Sequence, residues 1–165
     1  TYLGLKSSSG FSNSIDVKWW EFDIDKPARR SIINDIQGAM GVEQIKKIDG
    51  FINRRKEIHN TYTEQLSNLE WLTLPRDIDK GCQSSYYMYH VQTDTRDDLA
   101  KYLKDNGIYT TFRYYPLHLV EYYKDSNVIL PNTEELSKKT LCIPLHQSIS
   151  ENDVEYIIKT IGKYK

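Results

Sequence analysis

Cysteine is scarce in this chain: Cys82 and Cys142 stand alone among 165 residues. That is too few, and too isolated, for a disulfide framework or a zinc site. A reducing cytoplasm is the default expectation. There is no His-x-x-x-His pair and no carboxylate cluster at ligand spacing, so no metal centre is expected. No apolar run is long enough to span a bilayer. Excess charge of either sign is also lacking. A net charge of -1 gives nucleic acid and anionic membranes no bulk attraction. Gly-x-x-x-x-Gly-Lys, Gly-x-Gly-x-x-Gly and Gly-x-Ser-x-Gly do not occur, which removes the common phosphate loops and the serine nucleophile turn. The start, Thr1-Tyr-Leu-Gly-Leu-Lys-Ser-Ser-Ser9, has neither an initiator Met nor the apolar core of a signal peptide, and reads as a cut end.

What is present is enough for one domain with a real core. Residues 1–30 look irregular: Ser7 to Ser14 has loop composition, and Trp19-Trp20-Glu-Phe22 is a bulky patch that must be buried against something. Apolar residues then recur in three- and four-residue steps at Ile33, Ile36, Met40, Ile45, Ile48, Ile52, Ile58, Tyr62 and Leu66. This spacing predicts one long helix from about Asn34 to Leu66. Asn34 and Gln37 suit a capping box. Gly38 and Gly41 each cost about 1 kcal/mol relative to Ala, which suggests a close backbone approach or a kink. Arg54-Arg-Lys-Glu57 reads as a solvated face.

Strands are predicted near Trp71–Pro75, over Tyr86–Thr93, over Ile108–Tyr114 and at Leu141–Ile143. Between them, Thr95-x-x-Asp98 caps a helix closed by Asn106-Gly107, and Asn132-x-x-Glu135 after Pro131 starts another. Ser150-x-x-Asp153 caps the last helix, whose stripe is Val154, Ile157, Ile158 and Ile161. The expected architecture is α/β: a long helix leading into a short sheet with helices on one face. Thirteen tyrosines are many for this length. Amphipathic packing accounts for most of them, and a lined ligand mouth is the other reading.

Two places carry candidate chemistry. Arg29, Arg30, Ser31 and Asn34 stand at a helix start, where free N–H groups and positive charge suit a phosphate; a plain basic surface is the alternative. Arg113-Tyr-Tyr-Pro-Leu-His118 follows a strand, where polar tips meet ligands; a structural turn is the alternative there. His90 and His146 read as satisfied structural histidines, and His59 as a surface residue.

Three segments occur in an order that resembles a known family. They are Asn34-Asp-Ile-Gln-Gly-Ala-Met-Gly-Val-Glu-Gln-Ile45, Asp105-Asn-Gly-Ile-Tyr-Thr-Thr-Phe-Arg-Tyr-Tyr-Pro-Leu-His118 and Leu141-Cys-Ile-Pro-Leu-His-Gln-Ser-Ile-Ser-Glu-Asn-Asp-Val154. Together they resemble the PLP-dependent sugar aminotransferases called DegT/DnrJ/EryC1/StrS, over about residues 28–162. The resemblance implies the C-terminal domain of a fold type I PLP-dependent transferase. Residues 1–30 would end the large PLP-binding domain, and 31–165 would form the linking helix and the small domain. It further implies a cytoplasmic homodimer with pyridoxal 5'-phosphate as cofactor, moving an amino group from glutamate to a keto group of a nucleotide-linked sugar.

The resemblance also suggests residues. The family often places Asn or another polar residue just before the long helix, against the cofactor phosphate. This chain has Arg29-Arg30-Ser31-Ile32 there, so Arg30 or Ser31 would replace that contact, with Asn34 as the third cofactor-binding candidate. Tyr114 and His118 match positions on the sugar side of the pocket, and Arg113 suits a diphosphate. No catalytic residue is expected within the chain. Thr1–Lys6 superficially matches the family's lysine segment, but the Gly-Glu-Gly-Gly-like strand that follows it in the family is missing here, and Asn34 comes too soon. Tyr2–Leu5 fits better as the segment after the next helix, so the isolated chain is expected to be inactive. Rival readings are a sugar dehydratase of the same fold, with His in place of the lysine, and a stand-alone nucleotide-sugar-binding or dimerisation domain. A small RNA-binding sheet using Tyr86, Tyr89 and Phe112 is disfavoured because no basic stripe is present.

Overall fold

The computed structural model describes residues 33–123 and 128–165. The chain divides between Lys46 and Lys47 into two compact units. In the first, the described element is α1 (Asp35–Ile45). It starts on the expected capping box: Asn34 Oδ1 accepts the Gln37 N–H at 2.9 Å, and Gln37 Oε1 accepts the Asn34 N–H at 3.1 Å. Two donors that the first turn would leave orphaned are thereby satisfied. None of its side chains is buried; Ile36 is 72% exposed and Met40 63%.

The single helix expected from Asn34 to Leu66 is interrupted. α2 (Ile48–Leu66) starts afresh after a turn at Lys46–Lys47. The Lys46 N–H reaches Val42 O only at 3.4 Å, and Lys47, at φ -100° and ψ -9°, lies off the ideal helical values while staying in the right-handed region. Gly41 and Gly50 flank the break and weaken helix propagation on both sides of it. A Cβ added at Gly38, Gly41 or Gly50 would meet nothing within 4 Å. Among the described residues these glycines therefore accommodate no close backbone approach.

The second unit holds the core. α2 contributes Ile58, Tyr62 and Leu66 at four-residue steps. β1 (Tyr89–Gln92) and β2 (Thr140–Ile143) pair antiparallel, Tyr89 opposite Ile143 and Val91 opposite Leu141. These four face the core, while His90 and Cys142, also opposite one another, take the other face, as the two-residue alternation of strands requires. Single bridges extend the sheet on both sides, Thr73 to Gln92 and Thr111 to Cys142. The expected strand over Ile108–Tyr114 is thus reduced to Thr111, which exchanges two hydrogen bonds with Cys142, at 3.0 and 2.7 Å. Past it the chain turns away at Pro116 into two short 3₁₀ turns, Leu117–Leu119 and Glu121–Tyr123. The expected strand from Tyr86 begins only at Tyr89, because Tyr86 takes φ +48°, outside the extended region.

α3 (Arg96–Asp105) buries Leu99 and Leu103. Thr95 occupies its cap position without capping; its own N–H instead reaches Thr93 Oγ1 at 3.4 Å. The C-terminal stop is as expected. Gly107 sits at φ +75°, with Gly107 N–H donating to Lys104 O at 2.9 Å and Ile108 N–H to Leu103 O at 2.8 Å, the paired bonds of a Schellman stop. α4 (Pro131–Lys139) begins on its proline, where a missing N–H costs nothing. α5 (Glu151–Gly162) is capped by Ser150 Oγ, which accepts the Asp153 N–H at 3.1 Å, and it buries Val154, Ile157 and Ile161.

α2, α3 and α5 cover the inner face of the sheet with one continuous apolar cluster. Arg54 corrects the reading of its segment as a solvated face. Its Nη1 donates to Glu151 Oε1 at 2.6 Å and its Nη2 to Ile149 O at 3.0 Å, so it ties α2 to the start of α5. No helix among the described residues is long and apolar enough to cross a membrane.

Candidate functional site

The face of the sheet turned away from the core opens into a cleft of about 410 Å³. Its floor is Cys142 and Met88, whose sulfurs lie 3.9 Å apart. Burial pushes the Cys142 thiol above its ordinary pKa, so the floor is neutral. Tyr109, Thr111 and Arg113 line it at two-residue intervals, and Tyr87, Ile143, Pro144, Leu145 and His146 complete the lining. No Asp or Glu is among the lining residues.

Arg113 is exposed and is held by phenols. Its Nη1 donates to Tyr87 Oη at 2.9 Å. The neighbouring Tyr87 and Arg113 draw the Tyr114 phenol below the ordinary tyrosine pKa. Arg113 is held above its own ordinary value, chiefly by the Tyr114 hydrogen bond. No carboxylate pairs with it among the described residues. A guanidinium fixed by neutral hydroxyls keeps its charge available to an anion, and its planar fork suits phosphate.

The candidate residues therefore separate. Arg113 and Tyr114 come together, with Tyr87 as a third member. His118 has another engagement: its side chain is 9% exposed and its Nε2 lies 3.1 Å from Glu134 Oε1. Glu134 Oε1 also accepts the Leu130 N–H at 3.3 Å. The hydrogen bond from His118 is the main reason why the Glu134 carboxyl lies below its ordinary pKa. His118 thus ties the Leu117–Leu119 turn to α4. At α1, Asn34 commits its side-chain oxygen to the capping box. Arg30, Ser31, Arg29, Lys6 and the Trp19-Trp20 patch lie outside the described residues.

Two histidine readings differ in outcome. His146 is satisfied, its Nδ1 accepting the Ser148 N–H at 3.2 Å. His59 is not a surface residue. It sits edge-on between Tyr86 and Tyr89, at 5.1 and 4.9 Å, and burial lowers its pKa. A second cleft, of about 600 Å³, lies between α2 and the loop before Tyr86. It mixes Asp49 and Asp79 with Lys56 and Lys80.

Tyr87 and Tyr109 are not among the residues expected from the sequence, and His146 reads there as a structural residue. Strand alternation counted back from Tyr89 would send Tyr87 to the core face. The left-handed backbone at Tyr86 breaks that parity and turns Tyr87 to the cleft. The tyrosine excess was the one available signal, and it marks the mouth of this cleft.

A family model described as the DegT/DnrJ/EryC1/StrS aminotransferase family matches residues 7–162. The chain is 37% identical to a dTDP-4-dehydro-2,3,6-trideoxy-D-glucose 4-aminotransferase of Saccharopolyspora spinosa, over 98% of this chain and 43% of the relative. Among solved structures, the aminotransferase TlmJ from Streptoalloteichus hindustanus matches with 43% identity and a TM-score of 0.80, over 87% of this chain and 39% of that one. Spr1654 from Streptococcus pneumoniae in its PLP-form matches with 25% identity and a TM-score of 0.76, over 86% and 38%. The chain spans about two fifths of the length of these relatives. The fold is that of the corresponding part of fold type I aminotransferases.

Proposed function

Because the chain belongs to the DegT/DnrJ/EryC1/StrS aminotransferase family, we propose that the protein of which it forms part transfers an amino group from glutamate to a keto group of a nucleotide-linked sugar. Residues 1–30 would complete the large domain, and 31–165 would supply the linking segment and the small domain of a cytoplasmic homodimer. The named activity of the Saccharopolyspora relative, which acts on a dTDP-linked keto sugar, supports this substrate class. The observation that carries the reading here is Arg113, an exposed guanidinium braced by Tyr87 in a cleft with no carboxylate in its lining.

Pyridoxal 5'-phosphate supplies the electron sink when bound. This chain's share is binding and orientation. Asn34 Nδ2, with Arg30 and Ser31 beside it in sequence, would donate to the cofactor phosphate at the positive end of α1. Arg113 would neutralise the diphosphate of the substrate. Tyr114, its hydroxyl made more acidic by its two partners, would hydrogen-bond the sugar. His118 would keep the Pro116 turn in place beside them.

The test is amination of a nucleotide-linked 4-keto sugar by the full-length protein with PLP and glutamate. Formation of an amino sugar in step with loss of glutamate is expected. Dehydration without nitrogen transfer, or no turnover of any nucleotide sugar, would sink the proposal. The 165-residue chain alone is expected to show no transamination, and activity in it would overturn that part.

A further inference from the structure

We infer that Glu134 is a positioning residue for the substrate side of the site: acting through His118, it holds residues 113–118 in the one arrangement that presents Arg113 and Tyr114 to a nucleotide-linked sugar. The inference rests on the nucleotide-sugar reading. It gives a role to a side chain of α4 that does not itself line the cleft.

The first support is how residues 113–118 are fastened. At their start, Thr111 exchanges two backbone hydrogen bonds with Cys142, and Arg113 Nη1 donates to Tyr87 Oη. At their end stands the His118 contact to Glu134. Between these points Pro116 is buried, while Tyr114, Tyr115 and Leu117 are exposed. The bonds that follow are local: Leu119 N–H donates to Pro116 O, Val120 N–H to Leu117 O and Tyr123 N–H to Val120 O. They close the turns without fastening them to anything else. Among the described residues, His118 to Glu134 is thus the one hydrogen bond that ties residues 115–123 to the rest of the unit.

The second support is the chemistry of the junction. An ionised carboxylate only accepts, so the shared proton sits on His118 Nε2. The same Glu134 oxygen accepts the Leu130 N–H, a donor that the start of α4 would otherwise leave orphaned. One oxygen therefore joins the turn to the helix start. With the His118 side chain 9% exposed, little water competes for this bond, and loss of the acceptor would leave a nearly buried N–H unpaired.

The third support is the frame behind Glu134. α4 runs into β2 at Thr140 without a connecting loop, and β2 also carries Cys142, the partner of Thr111. Both ends of the segment are therefore referred to the same strand. Arg113 and Tyr114 are held between two fixed points, which lowers the cost of ordering them on a ligand.

The experiment has two arms. In the full-length protein with PLP, E134A is expected to raise KM for a nucleotide-linked 4-keto sugar about tenfold while kcat stays within about threefold and KM for glutamate within about twofold, because contacts to a non-reacting part of the substrate bind ground and transition states alike. E134Q keeps an oxygen that can accept from both partners, and its KM should stay within about threefold of wild type. Added to H118A, E134A should change KM by less than about twofold, since the two act as one unit. In the 165-residue chain, backbone order parameters from nitrogen relaxation at Tyr115, Leu117 and His118 should fall from about 0.8 to below about 0.6 in E134A, with α5 unchanged as the sign of an intact fold. Unchanged order parameters overturn the inference, as does a full additive effect of E134A in the H118A background. If the full-length protein aminates the sugar and E134A leaves its KM unaltered, the inference fails and the proposed function stands. If wild type turns over no nucleotide sugar, both fail.

Discussion

Helices α1 and α5 begin alike and end differently. Each is capped by a short polar side chain that accepts an N–H three residues on, Asn34 from Gln37 and Ser150 from Asp153. Each carries apolar residues at helical spacing. α5 buries that stripe in the common core, with Ile161 0% exposed. α1 leaves Ile36, Met40 and Ile45 open. Capping satisfies the ends of a helix, but packing of the apolar face provides most of its stability. The second unit has a finished core. α1, and the segment from Tyr109 to Tyr123 with its exposed Tyr114, Tyr115, Leu117 and Tyr122, carry apolar and aromatic surface that suits burial against more protein.

Five substitutions break or sharpen this contrast, from the largest effect to the smallest. Ile161→Ala, at a fully buried site, is expected to destabilise the second unit by about 3 kcal/mol through the cavity it leaves; urea unfolding would show it. Tyr62→Phe removes the hydroxyl that donates to Pro144 O at 2.9 Å, and should cost about 1 kcal/mol at neutral pH.

Tyr62→Phe should also alter the alkaline limb. Burial raises the pKa of Tyr62 and of Tyr89 above the ordinary tyrosine value. As pH climbs past that value, the unfolded chain releases these protons while the folded chain keeps them. Stability therefore falls with rising pH, and the variant should fall less steeply. An equal slope in wild type and variant would contradict this.

Ser150→Ala should cost about 1 kcal/mol, the usual value of an N-cap, measured as a lower thermal midpoint. The matching change at the other helix, Asn34→Ala, should leave the unfolding of the second unit unaltered, within about 0.5 kcal/mol. Ile36→Ala, at an exposed site, is expected to stay inside the same limit. If it instead matched Ile161→Ala, the α1 face would already be packed in this chain.

Local signals were legible in the sequence. The caps at Asn34 and Ser150, the stop at Gly107 and the stripe Val154–Ile157–Ile161 depend on residues within a few positions of one another, and all formed. One local signal failed, the cap at Thr95, whose side chain makes no capping bond; other misread features depend on partners distant in sequence. Arg54 looked solvated because Glu151 lies 97 residues away. His59 looked exposed because its enclosing rings, Tyr86 and Tyr89, come from another element. The break at Lys46–Lys47 escaped notice because the apolar spacing runs through it. Spacing reports which face is greasy and leaves little trace of where a helical turn opens. At the candidate site, Arg113 and Tyr114 were visible through their motif. Tyr87 was hidden behind the φ +48° residue before it.

The most direct test is native-state hydrogen exchange on the 165-residue chain, read residue by residue. Amides of α2 from Ile58 onward, and of β1, β2, α3 and α5, should exchange through one common opening with the free energy of global unfolding, while those of α1 beyond Gln37 exchange almost as fast as in a free peptide. Protection of α1 equal to that of α5 would contradict the account, because a helix that holds its amides that firmly must already have its apolar face covered.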